Sequence, residues 1–194
     1  MTNPEPTGQK ILTSALDLFF CQGIKKTSME EVAYRAGVTR ITIYRYYADK
    51  KLLVQAALRR IPAGLEEIRA NTANQHPQDI DAVLDALAAQ IARLPKGDFP
   101  ALLAELQRVY PDVWHEVHTA RLKGIQGLFD HLLMLAEDQG WLRKGLNRQV
   151  MQAYFIRAVV NVLEDPTLVS QDLSASEVFE TVKAIFLHGI LIER

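Results

Sequence analysis

The chain has 194 residues and one cysteine, Cys21, so no intrachain disulfide can hold it together. Its fold must come from a core, and thiol usage this sparse suits a reducing cytoplasm, where the chain is expected to act. Uninterrupted apolar runs are only a few residues long, far short of the roughly 20 that cross a bilayer, so no membrane partner is expected. No charged-then-apolar leader is read at the start, because Met1 to Gly8 is polar and carries Pro4 and Pro6. Strand signals are missing: there is no sustained alternation and no Asn-Gly or Asp-Gly hairpin turn. Nucleophile elbow, phosphate loop and dinucleotide fingerprint are missing too. The histidines His76, His115, His118, His131 and His188 have no cysteine or carboxylate partners at metal-ligand spacing. His115 and His118 are three apart but lack a third ligand. Cys21 has no base near it in sequence and reads as a buried, inert thiol. No catalytic residue, metal or cofactor is expected, and the chain is not read as an enzyme.

Net charge is also nearly absent, at −1. That figure averages two unlike stretches. Between Gly8 and Arg60 ten basic residues face four acids (Asp17, Glu30, Glu31 and Asp49), a net of +6. From Ile61 to Arg194 twelve basic residues face eighteen acids, a net of −6. A basic segment joined to an acidic remainder suggests a polyanion-binding part fused to a part with another task.

What is present is helical periodicity almost throughout, with 48% apolar and 23% charged residues. A first helix is expected over about Gln9–Gln22, burying Ile11, Leu12, Ala15, Leu16 and Phe19, with Gly23 stopping it. A second starts at Thr27 or Ser28, since Thr27…Glu30 and Ser28…Glu31 both have capping-box spacing, and ends near Ala36. Gly37 suits the left-handed position after it. A third runs over about Thr39–Tyr46. Asp49 starts a longer helix that Pro62-Ala63-Gly64 should kink or end. Further helices are expected at about Asp79–Leu94, Phe99–Tyr110, Pro111–Gly140, Arg148–Glu164 and Ser174–Ile192. Loops fall at Asn74–Pro77, Pro95–Gly97, Lys144-Gly145 and Asp165–Leu173.

Residues 28–47, SMEEVAYRAGVTRITIYRYY, read as two two-turn helices joined by a glycine turn, the helix-turn-helix pattern. Val32 and Ala33 face inward, Ala36 lets the helices cross closely, and Val38 plugs the turn from the core side. Ile43 and Tyr47 are four apart and share an inward face. Thr39, Arg40, Thr42, Tyr44, Arg45 and Tyr46 face outward, with no acid until Asp49. Such a face suits a major groove. Arginine can donate bidentately to guanine, threonine and aromatic edges can meet thymine methyls, and hydroxyls can bind phosphate. Lys25, Lys26 and Lys50 flank it as phosphate contacts, and Thr27 and Ser28 sit at a helix N-terminus, where backbone N–H groups also bind phosphate.

Residues 11–53 resemble the N-terminal DNA-binding domain of the tetracycline-repressor (TetR) family of bacterial regulators. The resemblance rests on Ile11-Leu12…Ala15…Leu18-Phe19…Gly23, on Thr27-Ser28-Met29…Val32-Ala33…Ala36-Gly37-Val38-Thr39, and on Ile43-Tyr44…Tyr46-Tyr47…Asp49-Lys50…Leu52-Leu53. It implies that Tyr44 and Lys50 contact phosphate and that Thr39, Arg40, Thr42, Arg45 and Tyr46 lie in or beside the groove. The position of Ile41 often holds Gly, Ala or Pro in that family. A bulky isoleucine there either supplies a thymine-methyl contact or alters the approach to the backbone, which leaves the operator sequence open.

The expected architecture is all-α. Residues 8–54 form a three-helix helix-turn-helix DNA-binding domain, and residues 55–194 form an effector-binding and dimerisation domain. The helix beginning at Arg148 offers Val150, Met151, Tyr154, Phe155, Ala158, Val159 and Val162. The one beginning at Ser174 offers Val178, Phe179, Val182, Ile185, Phe186, Gly189 and Ile190. Either both faces are core, or part of them is a partner surface; the resemblance implies a homodimer through a four-helix bundle of these two helices. In Pro111–Gly140, Trp114, His118, Arg121, Ile125, Leu128, Leu132 and Leu135 share one stripe, which His118 and Arg121 interrupt. Either Arg121 pairs with an acid and His118 fills a core gap, or both are polar fixtures of an apolar pocket. Such a pocket would take in Trp114, Ile125, Phe129, Tyr154, Phe155 and Arg157. The resemblance implies a pocket whose small-molecule ligand releases the protein from a palindromic double-stranded operator. Two alternatives stay open. One is a DNA-binding regulator without an effector, controlled by partner proteins. The other is a helical lipid carrier or enzyme, against which the lack of a catalytic constellation counts.

Overall fold

The computed structural model describes residues 6–74, 80–165, 167 and 175–191. Met1–Glu5, the expected loop residues Gln75, His76 and Pro77, most of the Asp165–Leu173 loop and the expected helix end at Ile192 lie outside them. Among the described residues ten helices follow in order. They are α1 (Thr7–Gln22), α2 (Met29–Arg35), α3 (Arg40–Tyr46), α4 (Lys50–Leu58), α5 (Arg60–Asn74), α6 (Ile80–Ala92), α7 (Phe99–Val109), α8 (Pro111–Asp138), α9 (Arg148–Glu164) and α10 (Ala175–Ile190). Among the same residues no strand forms, only an isolated antiparallel bridge between Leu142 and Leu191. The fold is all-α.

Helix α5 is not predicted by the sequence. The expected break after α4 falls at Arg59, three residues ahead of Pro62. Pro62 instead occupies the first turn of α5, where its missing N–H has no partner to lose.

Two compact units emerge, and neither is a single stretch of chain. The first takes in Met1–Arg60 and Pro95–Val117; the second takes in Ile61–Leu94 and His118–Arg194. In the first unit α1 is the central element, packing on α2, α4 and α7. Its buried face is Ile11, Ala15, Leu16, Leu18, Phe19 and Phe20, while Thr13, Asp17 and Cys21 lie on the outward side. Cys21 is therefore exposed, which corrects the expectation of a buried thiol. Phe20 stacks on Phe99 of α7 with ring centroids 5.7 Å apart.

The turn after α1 is held by a side chain from α7. Gly23 ends the helix at φ 88° and ψ 168°, a region essentially reserved for glycine. The Glu105 carboxylate accepts from the Ile24 N–H at 2.6 Å and from the Lys25 N–H at 3.0 Å. A Cβ built at Gly23 would lie 2.5 Å from Glu105 Oε2.

The second unit has its own core of Ile68, Ile80, Val83, Leu84, Leu128, Phe129, Leu132, Leu133, Phe179 and Phe186, among others. Within it Phe129 stacks on Phe155 at 4.4 Å, and both meet Phe186, at 5.7 and 5.2 Å. Helix α10 packs on α6 and α9. After the bridge residue Leu142, the Arg143 guanidinium donates to the carbonyls of His188 and Leu191, covering the open C-terminal end of α10.

Gly23→Ala is expected to cost about 1–3 kcal/mol of stability in denaturant unfolding, from backbone strain and the clash with Glu105 together. In a Glu105→Ala background the clash disappears and only the strain remains, so the two losses should be less than additive. Simple additivity would separate the two residues.

Candidate nucleic-acid interface

The helix-turn-helix is built almost entirely by local chemistry. Ser28 caps α2: its hydroxyl accepts from Glu31 N–H at 3.1 Å and the Glu31 carboxylate accepts from Ser28 N–H at 3.5 Å, a complete capping box. Thr27, the alternative start, is buried instead, and its hydroxyl donates to the Gly23 carbonyl at 2.8 Å. Helix α2 ends in a Schellman motif. Gly37 N–H donates to Tyr34 O at 3.1 Å and Val38 N–H to Ala33 O at 2.9 Å, with Gly37 at φ 67°. Thr39 then caps α3, accepting from Thr42 N–H at 3.1 Å, and the two hydroxyls lie 2.9 Å apart.

Helix α3 buries one residue, Ile43, completely. Around it Arg40, Ile41, Tyr44, Arg45 and Tyr46 are exposed and Thr42 and Tyr47 half-buried. Ile41 is 82% exposed, a branched apolar side chain standing in water. Arg40 is engaged twice: its Nε lies 3.1 Å from Glu30 Oε1, and its Cζ stands 5.6 Å over the Tyr44 ring. Lys50 is half-buried, donates to the Lys25 carbonyl at 3.2 Å, and has its ammonium pulled below the usual lysine range by burial, an effect that the Glu105 charge opposes. Of the ten residues expected at DNA, nine keep exposed or half-buried positions; Thr27 is the exception. Tyr34 of α2, not singled out from sequence, is 88% exposed.

Helix α4 follows directly, capped by Asp49, which accepts from Leu52 N–H at 2.9 Å. It is tied to the opening turns of α8. Lys51 meets Asp112 at 2.7 Å, Gln55 donates to Glu116 at 2.7 Å, and Arg59 pairs with Glu116. The Arg59 guanidinium, helped by the Gln55 amide, holds the Glu116 carboxyl below its ordinary range.

Residues 11–57 match the family described as bacterial regulatory proteins, tetR family. Across most of its length the chain is 28% identical, over 170 residues, to the uncharacterized HTH-type transcriptional regulator Mb2274c of Mycobacterium bovis, covering 86% of this chain and 82% of that one. The chain carries a TetR-family DNA-binding domain over residues 11–57 and is similar along most of its length to an HTH-type transcriptional regulator. Its fold is shared with the SmeT–triclosan complex (SmeT being the repressor of a Stenotrophomonas maltophilia multidrug efflux pump), at TM-score 0.68, 19% identity, 97% of this chain and 93% of that one. It is shared also with Thermus thermophilus FadR in complex with lauroyl-CoA, at TM-score 0.54, 21% identity and 96% of each chain.

The residues expected from the sequence to bind a ligand are scattered in kind. Arg121 is 5% exposed and pairs with Glu164 of α9, while His118 Nδ1 lies 3.8 Å from the same carboxylate. Burial pulls the Arg121 guanidinium down to about 10, so it is still charged at neutral pH. Phe129 and Phe155 belong to the aromatic cluster of the second unit's core, and Ile125 is half-buried. Tyr154 and Arg157 are exposed. Trp114 is half-buried and belongs to the first unit. Glu164 went unnoticed in the sequence. Its only signal there was indirect: a cation on an apolar stripe requires an acid from another helix.

Among the described residues no helix is long and apolar enough to cross a membrane, and no group of three potential ligands is placed to hold a metal. Thr39→Ala should remove the cap of α3 and cost about 1 kcal/mol in denaturant unfolding, while Thr39→Ser should restore it. Equal stability of the Ala variant would show that the cap contributes nothing.

Proposed function

We propose that this regulator is a cytoplasmic repressor that binds a near-palindromic duplex operator as a homodimer and releases it when a small, mostly apolar effector binds. The observation that carries the DNA-binding part is the face of α3. Five side chains able to meet bases or phosphates stand outward around one buried isoleucine, on a helix capped at its start. Thr39, Arg40, Ile41, Thr42, Arg45 and Tyr46 are assigned to the groove, and Ser28, Tyr44 and Lys50 to phosphate. Thr27 is left only its backbone N–H for such a role. The working division is a reader over residues 8–54 and a sensing and dimerising remainder over 55–194, with α7 and the start of α8 bracing the reader.

Dimerisation is supported by what α9 and α10 leave in water. Val150, Tyr154 and Ile185 are 66%, 69% and 61% exposed, whereas Met151, Phe179 and Phe186 of the same helices are buried. Val150 and Tyr154 are one turn apart on α9, so they form a continuous apolar ridge. A two-fold dimer would set two recognition helices about 34–36 Å apart, or a multiple of it, to read both half-sites.

The effector part is supported by the structures that share the fold, one holding triclosan and the other lauroyl-CoA. Here the polar fixtures would be Arg121 and His118, with Ile125, Phe129 and Phe155 as apolar wall. An effector that favours a state mismatched to the groove by about 1–3 kcal/mol weakens operator binding roughly 5- to 150-fold. Helix α4, tied to Asp112 and Glu116, is the lever. A second reading, control by partner proteins without an effector, is favoured by the Arg121–Glu164 pair and by the close packing of Phe129.

Selection of bound duplexes from a random pool, repeated against a metabolite library, tests both halves; no enriched duplex would end the reading. Tyr44→Ala should weaken the selected operator about 10-fold or more, as expected for losing one hydrogen bond to a charged group at about 1.5–3 kcal/mol, and leave the melt unchanged. Tyr154→Glu with Ile185→Glu should leave a folded species of 21.9 kDa in sedimentation and abolish tight binding to the full palindrome. A dimer that persists would move the interface elsewhere.

A further inference from the structure

Glu30 is an acid beside a face assigned to DNA. A carboxylate there repels phosphate and lowers general affinity. Its position in the first turn of α2 favours the helix N-terminus, but a neighbouring acid, Glu31, already serves that end. What distinguishes Glu30 is its partner. Its Oε1 lies 3.1 Å from Nε of Arg40, the first residue of the recognition helix. The Arg40 side chain is 71% exposed and that of Glu30 50%, so the pair stabilises the fold little. Its consequence is orientation.

The guanidinium has two neighbours: Glu30 meets its Nε, and its Cζ stands over the Tyr44 ring, 5.6 Å from the centroid. An arginine has five N–H bonds, and four of them are on the two Nη atoms. Contact through Nε leaves that Nη edge for another acceptor pair, and O6 and N7 of guanine present such a pair in the major groove. A side chain already held in its bound position loses less freedom when it binds.

We propose that Glu30 is a positioning residue for base readout: with Tyr44 it holds Arg40 so that the Nη edge meets a guanine in each half-site. This rests on the operator-binding reading above. The test is duplex selection from a random pool with the full chain and with Glu30→Gln, Glu30→Ala, Arg40→Lys, Arg40→Ala and Asp17→Asn variants, each checked for unchanged melting. Asp17 pairs with Arg35 on the surface of the same unit and controls for loss of one negative charge.

The wild-type chain should enrich guanine at one symmetric position, by about 5- to 150-fold over other bases. Arg40→Ala should erase that preference and no other. Arg40→Lys, which keeps the charge and loses the fork, should broaden it. Both Glu30 variants should broaden the same position several-fold while every other position keeps its preference. Asp17→Asn should shift all duplexes alike. If the Glu30 variants behave as Asp17→Asn does, Glu30 acts only as charge and the inference falls. If Arg40→Ala changes no position, the guanine assignment falls with it. A wild-type chain that selects no motif defeats the operator reading itself.

Discussion

Everything that the recognition helix presents outward depends on one residue that it turns inward and on the cap at its start. Helices shorter than about 12–15 residues are marginal alone, because the first turn fixes several dihedrals for a single hydrogen bond. Helix α3 has seven residues and α2 has seven. They persist because Ser28 and Thr39 cap them, a Schellman turn at Gly37 closes the first, and Val32, Ala33 and Ile43 are buried. With stability supplied by so few positions, the remaining side chains of α3 owe nothing to the core. That is the physical freedom that lets a surface carry arginine, tyrosine and an exposed isoleucine together.

The charge pattern has a finer structure than its net value of +6 between Gly8 and Arg60. All four acids of that stretch are engaged locally. Asp17 pairs with Arg35, Glu30 with Arg40, Glu31 closes the capping box, and Asp49 caps α4. The acid that holds the α1–α2 turn, Glu105, arrives from 80 residues further along. Its carboxylate satisfies two backbone donors beside Lys25 and Lys50, so the basic surface is shaped partly by an acid placed within it.

What was legible in the sequence follows the range of the interactions. The reader's helices, the turn at Gly37 and the bounds of α9 depend on caps, glycines and periodicity within a few residues, and these were read nearly to the residue. Misses arose where partners are distant. Two starts of α2 had equal spacing; only the packing of Thr27 against Gly23 decides for Ser28. Cys21 was read from its lack of a basic neighbour, whereas its exposure follows from which face of α1 meets α2, α4 and α7. Helix α5 was hidden by Pro62, which signals a break but is equally at home in a first turn. Glu105 and Glu164 carry no local signal at all, since each matters only through a side chain or amide on another element.

The Arg121–Glu164 pair limits which molecules could use Arg121 in sensing. A buried guanidinium that loses its carboxylate is left uncompensated, which is costly, whereas exchanging one anion for another keeps the charge met. Helix α9 ends at Glu164, so its last turn is joined to α8 by this contact. A neutral apolar molecule has nothing to offer the guanidinium and would leave the pair in place, acting only through the walls around it. An anionic molecule could take Glu164's position and free the end of α9 from α8. The same helix carries Val150 and Tyr154 in water, so a change at its end reaches the surface proposed for the second protomer. In the proposed dimer, a molecule with different affinity for two arrangements of α9 would thereby couple its binding to the proposed interface.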